Sequence, residues 1–230
     1  VNPLQFGPNE DYDKYPRALE TDAQVAADAG VDIIFAPSVD EMYPEGEPLI
    51  RISSGELGNK FEGITRPGHF DGVLTVVNKL FNIVRPAAGS HEVNAYFGQK
   101  DAQQVLLVQR MIHDFNHDIT LRPIAIVRDD DGLALSSRNE FLSEQEREAA
   151  LVISRTLALM RENSLNRGFE SIDLESARAR INSTEGVRLD YLELVDPSNF
   201  QPPTADSERV LALVAAYVGS TRLIDNMDLL

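Results

Sequence analysis

Cysteine is missing from all 230 residues, which excludes disulfides, thiolate metal ligands and a cysteine nucleophile, and is compatible with a reducing compartment such as the cytoplasm. No apolar run approaches the roughly 18–20 residues of a membrane span; the longest, Val210 to Val218, is the size of a strand. Positive charge is scarce, with 21 Lys and Arg against 37 Asp and Glu and a formal net charge of −16. A surface of that sign repels phosphate polyanions, so nucleic acid is disfavoured as a partner and any nucleotide site must gather its own cations. Internal repeats and low-complexity tracts are also absent. The opening Val1-Asn2-Pro3 has neither Met nor the charged and apolar regions of a secretory signal, and a longer encoded protein is expected.

The remaining composition, 43% hydrophobic and 25% charged, is that of a folded globular chain long enough for one large domain or two unequal ones. Residues 17–28 have helical spacing and stop at Gly30, and the apolar run Val31 to Pro37 predicts a buried strand. Val73, Val76, Val77, Leu80, Phe81 and Val84 share one face of a helix over 72–84, which Arg85-Pro86 ends. A strand at Ala95-Tyr96-Phe97 leads through Gly98-Gln99-Lys100 into a helix with the stripe Ala102, Val105, Val108, Ile112 and Phe115, and Ile119 to Val127 predicts the next strand. Strands alternating with amphipathic helices imply a parallel α/β sheet, whose ligands belong at strand C-terminal ends.

The pattern changes after residue 127. Asp129-Asp130-Asp131-Gly132 is a turn signal, and Ser143-Glu144-Gln145-Glu146 has capping-box form before a helix that places Ala150, Ile153, Leu157 and Met160 on one side. A second helix over 171–182 and strands over 187–195, 209–218 and 221–226 follow, the last two joined by Gly219-Ser220 as a tight hairpin. The segment 196–207 is the longest predicted loop. The expected division is therefore 1–127, a Rossmann-like α/β domain, and 128–230, a smaller α+β domain.

Three segments can carry chemistry. Asn2-Pro3-Leu4-Gln5 sets two amides where each can donate to and accept from a small polar acid, or cap a turn. Gly98-Gln99-Lys100-Asp101 stands between strand and helix, where backbone N–H groups, a helix N-terminus and a Lys suit a phosphate; Asp101 also suits an N-cap. Leu135-Ser136-Ser137-Arg138-Asn139 gathers two hydroxyls, an amide and an Arg in one loop, again suited to phosphate or simply to solvent.

With Asp13-Lys14-Tyr15-Pro16-Arg17, Arg66-Pro67-Gly68-His69-Phe70, Gly72 to Val77, Phe97 to Gln104 and Asp190-Tyr191, these segments resemble the pantothenate synthetase family in order along nearly the whole chain. The resemblance implies a nucleotidyltransferase-type Rossmann-like domain followed by a small α+β lid domain, usually in a homodimer. It implies condensation of pantoate with ATP to a pantoyl-adenylate, then attack by β-alanine, with Mg²⁺ accompanying ATP. It assigns Gln5 and Gln104 to pantoate, with Gln5 also near the β-alanine site, and counts Asn2 with Arg66 and His69, the last two in the site wall, among the residues that bind pantoate or β-alanine. Gly98, Gln99, Lys100, Asp101 and Val127 are assigned to ATP, Leu135, Ser136, Ser137 and Arg138 to a loop over its phosphates, and Glu20 and Asp22 to the metal. Lys100, Ser136, Ser137 and Arg138 then neutralise charge on the α-phosphate and the leaving pyrophosphate. His91, His113 and His117 have no such context, and no Zn²⁺ spacing is present.

The sequence departs from the family at two places: its His-X-Gly-His motif would lie upstream of Asn2, and Gln99 replaces a common Glu next to a segment, 87–94, that reads as inserted. Two further readings stay open, an inactive pantoate- and ATP-binding module and another adenylyl-transferring enzyme of the superfamily.

Overall fold

The computed structural model describes residues 1–8, 10, 12–86 and 92–230, so His91 and most of the insertion expected at 87–94 lie outside the described residues. The chain divides into two compact units, Val1–Ala87 and Ala88–Leu230. The parallel strand pair thus groups with the C-terminal elements.

In the first unit, α1 (Leu19–Asp28) stops where its periodicity stops. Gly30 takes a left-handed φ of 83°, the Gly30 N–H donates to Ala27 O and the Val31 N–H donates to Ala26 O, the paired bonds of a Schellman ending. The following run is a correction to the sequence reading, since residues 31–37 form no strand. Ile33 is 84% exposed, and Val31, Ile34 and Phe35 are about half exposed. β-propensity alone cannot make a strand; a ladder needs a neighbouring edge to satisfy its N–H and C=O groups.

Two one-turn helices, α2 (Val39–Met42) and α3 (Glu62–Thr65), precede α4 (His69–Val84). α2 is opened by a second capping box, in which Ser38 and Glu41 exchange side-chain and backbone bonds. Of its predicted face α4 buries Val73, Val77 and Phe81, with Val76 and Leu80 partly buried and Val84, at the helix end, exposed; Phe70 and Leu74 are buried beside them. Against α4 lies a 3₁₀ turn, Pro3–Gln5. The approach is backbone to backbone: a Cβ on Gly72 would sit 2.1 Å from Leu4 O, so no other residue fits.

In the second unit, β1 (Asn94–Gly98) pairs in parallel with β2 (Thr120–Ile124), in register Asn94 to Thr120 and Gly98 to Ile124. Their crossover contains α5 (Ala102–Asp114), which buries Val105, Leu106, Leu107, Val108 and Met111. Phe115 lies past the helix end and is half exposed. The turn after β2 is closed by Gly132 at φ 95°, with the Asp129 N–H donating to Leu133 O and the Leu135 N–H to Val127 O. Arg147, in the helix that follows, braces this turn by gripping Asp129, at 2.6 Å, and Asp131.

α6 (Glu144–Arg167) starts at the predicted capping box and buries Ala150, Ile153, Leu157 and Met160 to within 3% exposure. α7 (Leu174–Asn182) and the antiparallel strands β3 (Val187–Val195), β4 (Leu211–Val218) and β5 (Thr221–Asp228) complete the unit in the order β3-β4-β5. β4 is central, which explains an apolar run without alternation. Burying those side chains is the main stabilising contribution here, at roughly 1.5–3 kcal/mol for each large one. The fold is thus a parallel sheet with helices followed by a small antiparallel sheet, as the sequence implies.

Candidate active site

In the first unit the Pro3–Gln5 turn is held by its own first residue. Asn2 caps it by accepting from the Leu4 N–H, accepts from the Tyr43 hydroxyl at 2.8 Å, and donates from Nδ2 to Gly72 O at 3.1 Å and Gln5 Oε1 at 3.0 Å. The last bond points the Gln5 amide oxygen at Asn2 and turns its Nε2 donors away. Asn2 is therefore committed to building the turn, and Gln5 presents donors suited to a carboxylate or hydroxyl oxygen.

Arg66 and His69, expected in the site wall, converge on the Gln5 backbone. Arg66 Nη2 donates to Gln5 O at 3.2 Å, and its guanidinium is paired with Glu10, including Nε to Oε2 at 2.9 Å. The remaining Arg66 nitrogen, Nη1, lies 3.1 Å from His69 Nε2, and His69 Nδ1 lies 2.8 Å from Gln5 O. Arginine can only donate, so Nε2 must be the acceptor and Nδ1 must carry the proton given to Gln5 O. His69 is thus a neutral imidazole in one tautomer, and burial followed by the adjacent Arg66 charge pushes its pKa below the usual histidine value. Glu10 and Tyr43 are contributors that sequence reasoning missed; neither has a local signal linking it to these loops.

Glu20 and Asp22 lie in the first turn of α1, exposed, where negative charge complements the helix N-terminus. Two residues apart on a helix, they leave it in different directions. Among the described residues no three His, Asp or Glu side chains form a metal-binding group. The arrangement fits one carboxylate reaching an ion held mainly by phosphate and water, the usual manner of Mg²⁺, and does not fit a protein cage.

In the second unit β1 delivers Gly98 to its C-terminal end, where the 3₁₀ turn Gln99–Asp101 runs into α5. Gly98 has an ordinary φ of −66°, and a Cβ there would meet nothing within 4 Å. The chain itself does not require glycine at this position, and the open space leaves the backbone accessible to an approaching group. Asp101 occupies the N-cap of α5 without making a side-chain capping bond. Gln104, half-buried, follows Lys100 by four residues, one helical turn.

The second loop reaches the same region. The bond from the Leu135 N–H to Val127 O brings those two expected ATP residues together. Ser136 caps the 3₁₀ helix Ser137–Phe141 by accepting from the Arg138 N–H at 3.3 Å, and Asn139 Nδ2 donates to Ala134 O. Lys100, Ser136, Asn139 and Asp225 line one small cleft with Leu133 and Leu223. Beneath it, Arg128 grips Asp225 through two bonds, 2.7 and 2.9 Å, and Asn226 donates to the backbone of the Gly98 turn. Sequence reasoning missed Arg128, Asp225 and Asn226, whose pairing spans nearly a hundred residues or more.

The chain as a whole has counterparts among known proteins. The family model described as Pantoate-beta-alanine ligase matches residues 1–228. The pantothenate synthetase of Paenarthrobacter aurescens is 50% identical over 240 residues, covering 100% of this chain and 81% of that protein. The crystal structure of pantothenate synthetase from Thermus thermophilus superposes with a TM-score of 0.90 at 43% identity, covering 99% of this chain and 80% of that one. A pantoate–β-alanine ligase from Francisella tularensis, complexed with beta-gamma ATP and β-alanine, gives a TM-score of 0.77 at 38% identity over 99% of this chain and 76% of that one. With a phosphate-type turn after β1, a hydroxyl- and Arg-bearing loop beside it, and this similarity over almost every residue, the chain belongs to the pantoate–β-alanine ligase family.

Proposed function

We propose that this chain, as an ATP-dependent ligase of pantoate and β-alanine, works in two steps with the residues assigned as follows. The pantoate carboxylate attacks the α-phosphorus of ATP, the bond to the β-phosphate breaks, and pyrophosphate leaves with that electron pair. The β-alanine amine then attacks the acyl carbon of the pantoyl-adenylate; AMP departs, the nitrogen loses a proton to solvent, and the amide of pantothenate remains.

Lys100 neutralises the α-phosphate as charge develops, and Ser136, Ser137 and Arg138 hold the leaving pyrophosphate. Gly98, Gln99, Asp101, Val127 and Leu135 contact ATP through their backbones. Gln5 and Gln104 hold pantoate with uncharged donors, which orient the nucleophile without stabilising its charge more than that of the transition state. Asn2, Arg66 and His69 act through Gln5 as positioning residues. Asp22 or Glu20 would supply at most one carboxylate to a Mg²⁺ accompanying ATP, which would contribute neutralisation of phosphate charge.

The family resemblance supports a homodimer, a cytoplasmic setting, and a functional division into an ATP/pantoate domain, 1–127, and a lid domain, 128–230. Among the described residues no helix is long and apolar enough to cross a membrane.

The observation that carries the nucleotide assignment is Gly98, a glycine that neither its dihedral angles nor its neighbours require. The test is steady-state pyrophosphate release in the presence of ATP, pantoate, β-alanine and Mg²⁺ by the encoded protein and by its Lys100→Ala and Arg138→Ala variants. Losses of at least about a hundredfold in kcat from either variant, on the scale of a removed oxyanion donor, are expected. Wild-type rates in both would overturn the assignment.

A further inference from the structure

We infer that Asn226, on the last strand, is a positioning residue that sets the direction of the N–H groups in the Gly98–Asp101 turn, an inference that rests on that turn receiving ATP. Its Nδ2 carries two hydrogens, and both are used, on Gln99 O at 2.9 Å and on Lys100 O at 2.9 Å. In a planar trans peptide the C=O and the following N–H point in opposite directions. Holding the Gln99 carbonyl against β5 therefore turns the Lys100 N–H away from β5, and holding the Lys100 carbonyl does the same for the Asp101 N–H. These groups belong to the first turn of the helical segment that continues into α5, where N–H groups have no partner within the helix. Successive N–H groups aimed outward at a helix start form a site for anionic oxygen.

Asn226 is itself fixed. It is 3% exposed, its N–H donates to Asp225 Oδ1 at 2.8 Å, and its carbonyl accepts from Arg128 Nη2 at 3.3 Å. Asp225, 5% exposed, is locked to Arg128, whose Nη1 also donates to Gly132 O at 3.1 Å. The Gly98–Asp101 turn, the Asp129–Gly132 turn and β5 are thus joined through one part-buried chain of hydrogen bonds, charge-assisted at Arg128 and Asp225. The chemistry at position 226 is selective. An aspartate would set a carboxylate against two carbonyl oxygens, a leucine offers no donor, and a glutamine has one methylene too many for the space.

The experiment compares the encoded protein with its Asn226→Leu, Asn226→Asp and Lys100→Ala variants. It measures KM for ATP, pantoate and β-alanine, ATP affinity by calorimetry, and thermal unfolding. In Asn226→Leu and Asn226→Asp, KM for ATP is expected to rise about tenfold or more, from two lost bonds and two misdirected donors, while KM for pantoate and β-alanine at saturating ATP stays within about twofold. In Asn226→Asp the ATP affinity, relative to the unmodified protein at each pH, is expected to recover as pH falls, because a protonated carboxyl can donate one of the two bonds. A folded Asn226→Leu variant with unchanged ATP affinity, or an Asn226→Asp variant whose relative ATP affinity does not change with pH, would overturn the inference. So would an equal rise in all three KM values. Should Asn226→Leu fail to fold, the pH dependence of Asn226→Asp decides. The Lys100→Ala arm separates the two ideas: unchanged ATP affinity together with unchanged kcat there removes ATP from the turn altogether, whereas a loss of either beside an unaltered Asn226→Leu removes only the role of Asn226.

Discussion

Gly72→Ala tests how the backbone of one helix fixes a substrate amide. The added methyl would lie 2.1 Å from Leu4 O, 2.4 Å from Leu4 C and 2.7 Å from Gln5 N, where ordinary contact begins at 3.4 Å. All three neighbours are backbone atoms, so no side chain can rotate aside. The Pro3–Gln5 turn and α4 must separate by more than about 1 Å, which also stretches the 3.1 Å bond from Asn2 to Gly72 O. Overpacking of this kind costs about 1–3 kcal/mol of stability. The catalytic effect is larger in proportion, since a 1 Å misplacement of a positioning group costs on the order of a hundredfold in rate. The expected result is a folded enzyme with a lowered unfolding temperature, kcat/KM for pantoate down by about two orders of magnitude, and KM for ATP nearly unchanged, because the Gly98 turn lies in the other compact unit. Steady-state kinetics with each substrate varied, beside a thermal melt, reads all three quantities. Wild-type pantoate kinetics in Gly72→Ala would refute both the contact and the role of Gln5.

Gly98→Ala is the complementary case: with open space around the new Cβ and a φ of −66°, its melt is expected to match or slightly exceed that of the unmodified protein, while KM for ATP rises about tenfold or more as the methyl occupies the approach to the backbone. His69 is kept neutral by burial and by Arg66, with Glu10 and Glu62 opposing, so its folded pKa lies below the unfolded value. Its stabilising contribution is therefore complete above about pH 6.5 and is lost as pH falls through the folded pKa; chemical denaturation from pH 7.5 to 5 is expected to show a steeper decline than in His69→Asn, which keeps a donor for Gln5 O but does not titrate. Asp225→Ala leaves Arg128 without its carboxylate partner at a site where the Arg side chain is only 23% exposed, and a loss of about 3 kcal/mol in unfolding free energy is expected. Asp228→Ala, at the more exposed Arg209 pair, is expected to cost less than about 1 kcal/mol.

Local chemistry that closes within a few residues was legible in the sequence. Ser143 and Glu146 complete their bonds within one turn, and Gly219, at φ 57°, makes the β4–β5 connection that Gly219-Ser220 signals. The apolar run at 210–218 could be read as a strand because it is too short for a membrane span and ends in a turn. The run at 31–37 looks similar yet forms no strand, because strand formation is decided by a partner edge that no local pattern reports. The same distinction runs through the site. Gly98, Lys100, Ser136 and Arg138 stand in short contiguous motifs, which is what sequence reading can single out. Arg128, Asp225 and Asn226 are not legible in this way, since a guanidinium and a carboxylate 97 positions apart leave no periodic trace. Arg66 and His69 are expected in the site wall from the sequence, but their contacts with the Gln5 backbone depend on which way each side chain turns and are not legible there.

The most direct test of the two-step account is a rapid-quench measurement of pyrophosphate when the encoded protein is mixed with ATP, pantoate and Mg²⁺ but no β-alanine. The account expects a burst of about one pyrophosphate per active site, matched by enzyme-bound pantoyl-adenylate that is released as AMP and pantothenate once β-alanine is added. Pyrophosphate that forms only when β-alanine is already present, or that forms without pantoate, would contradict it.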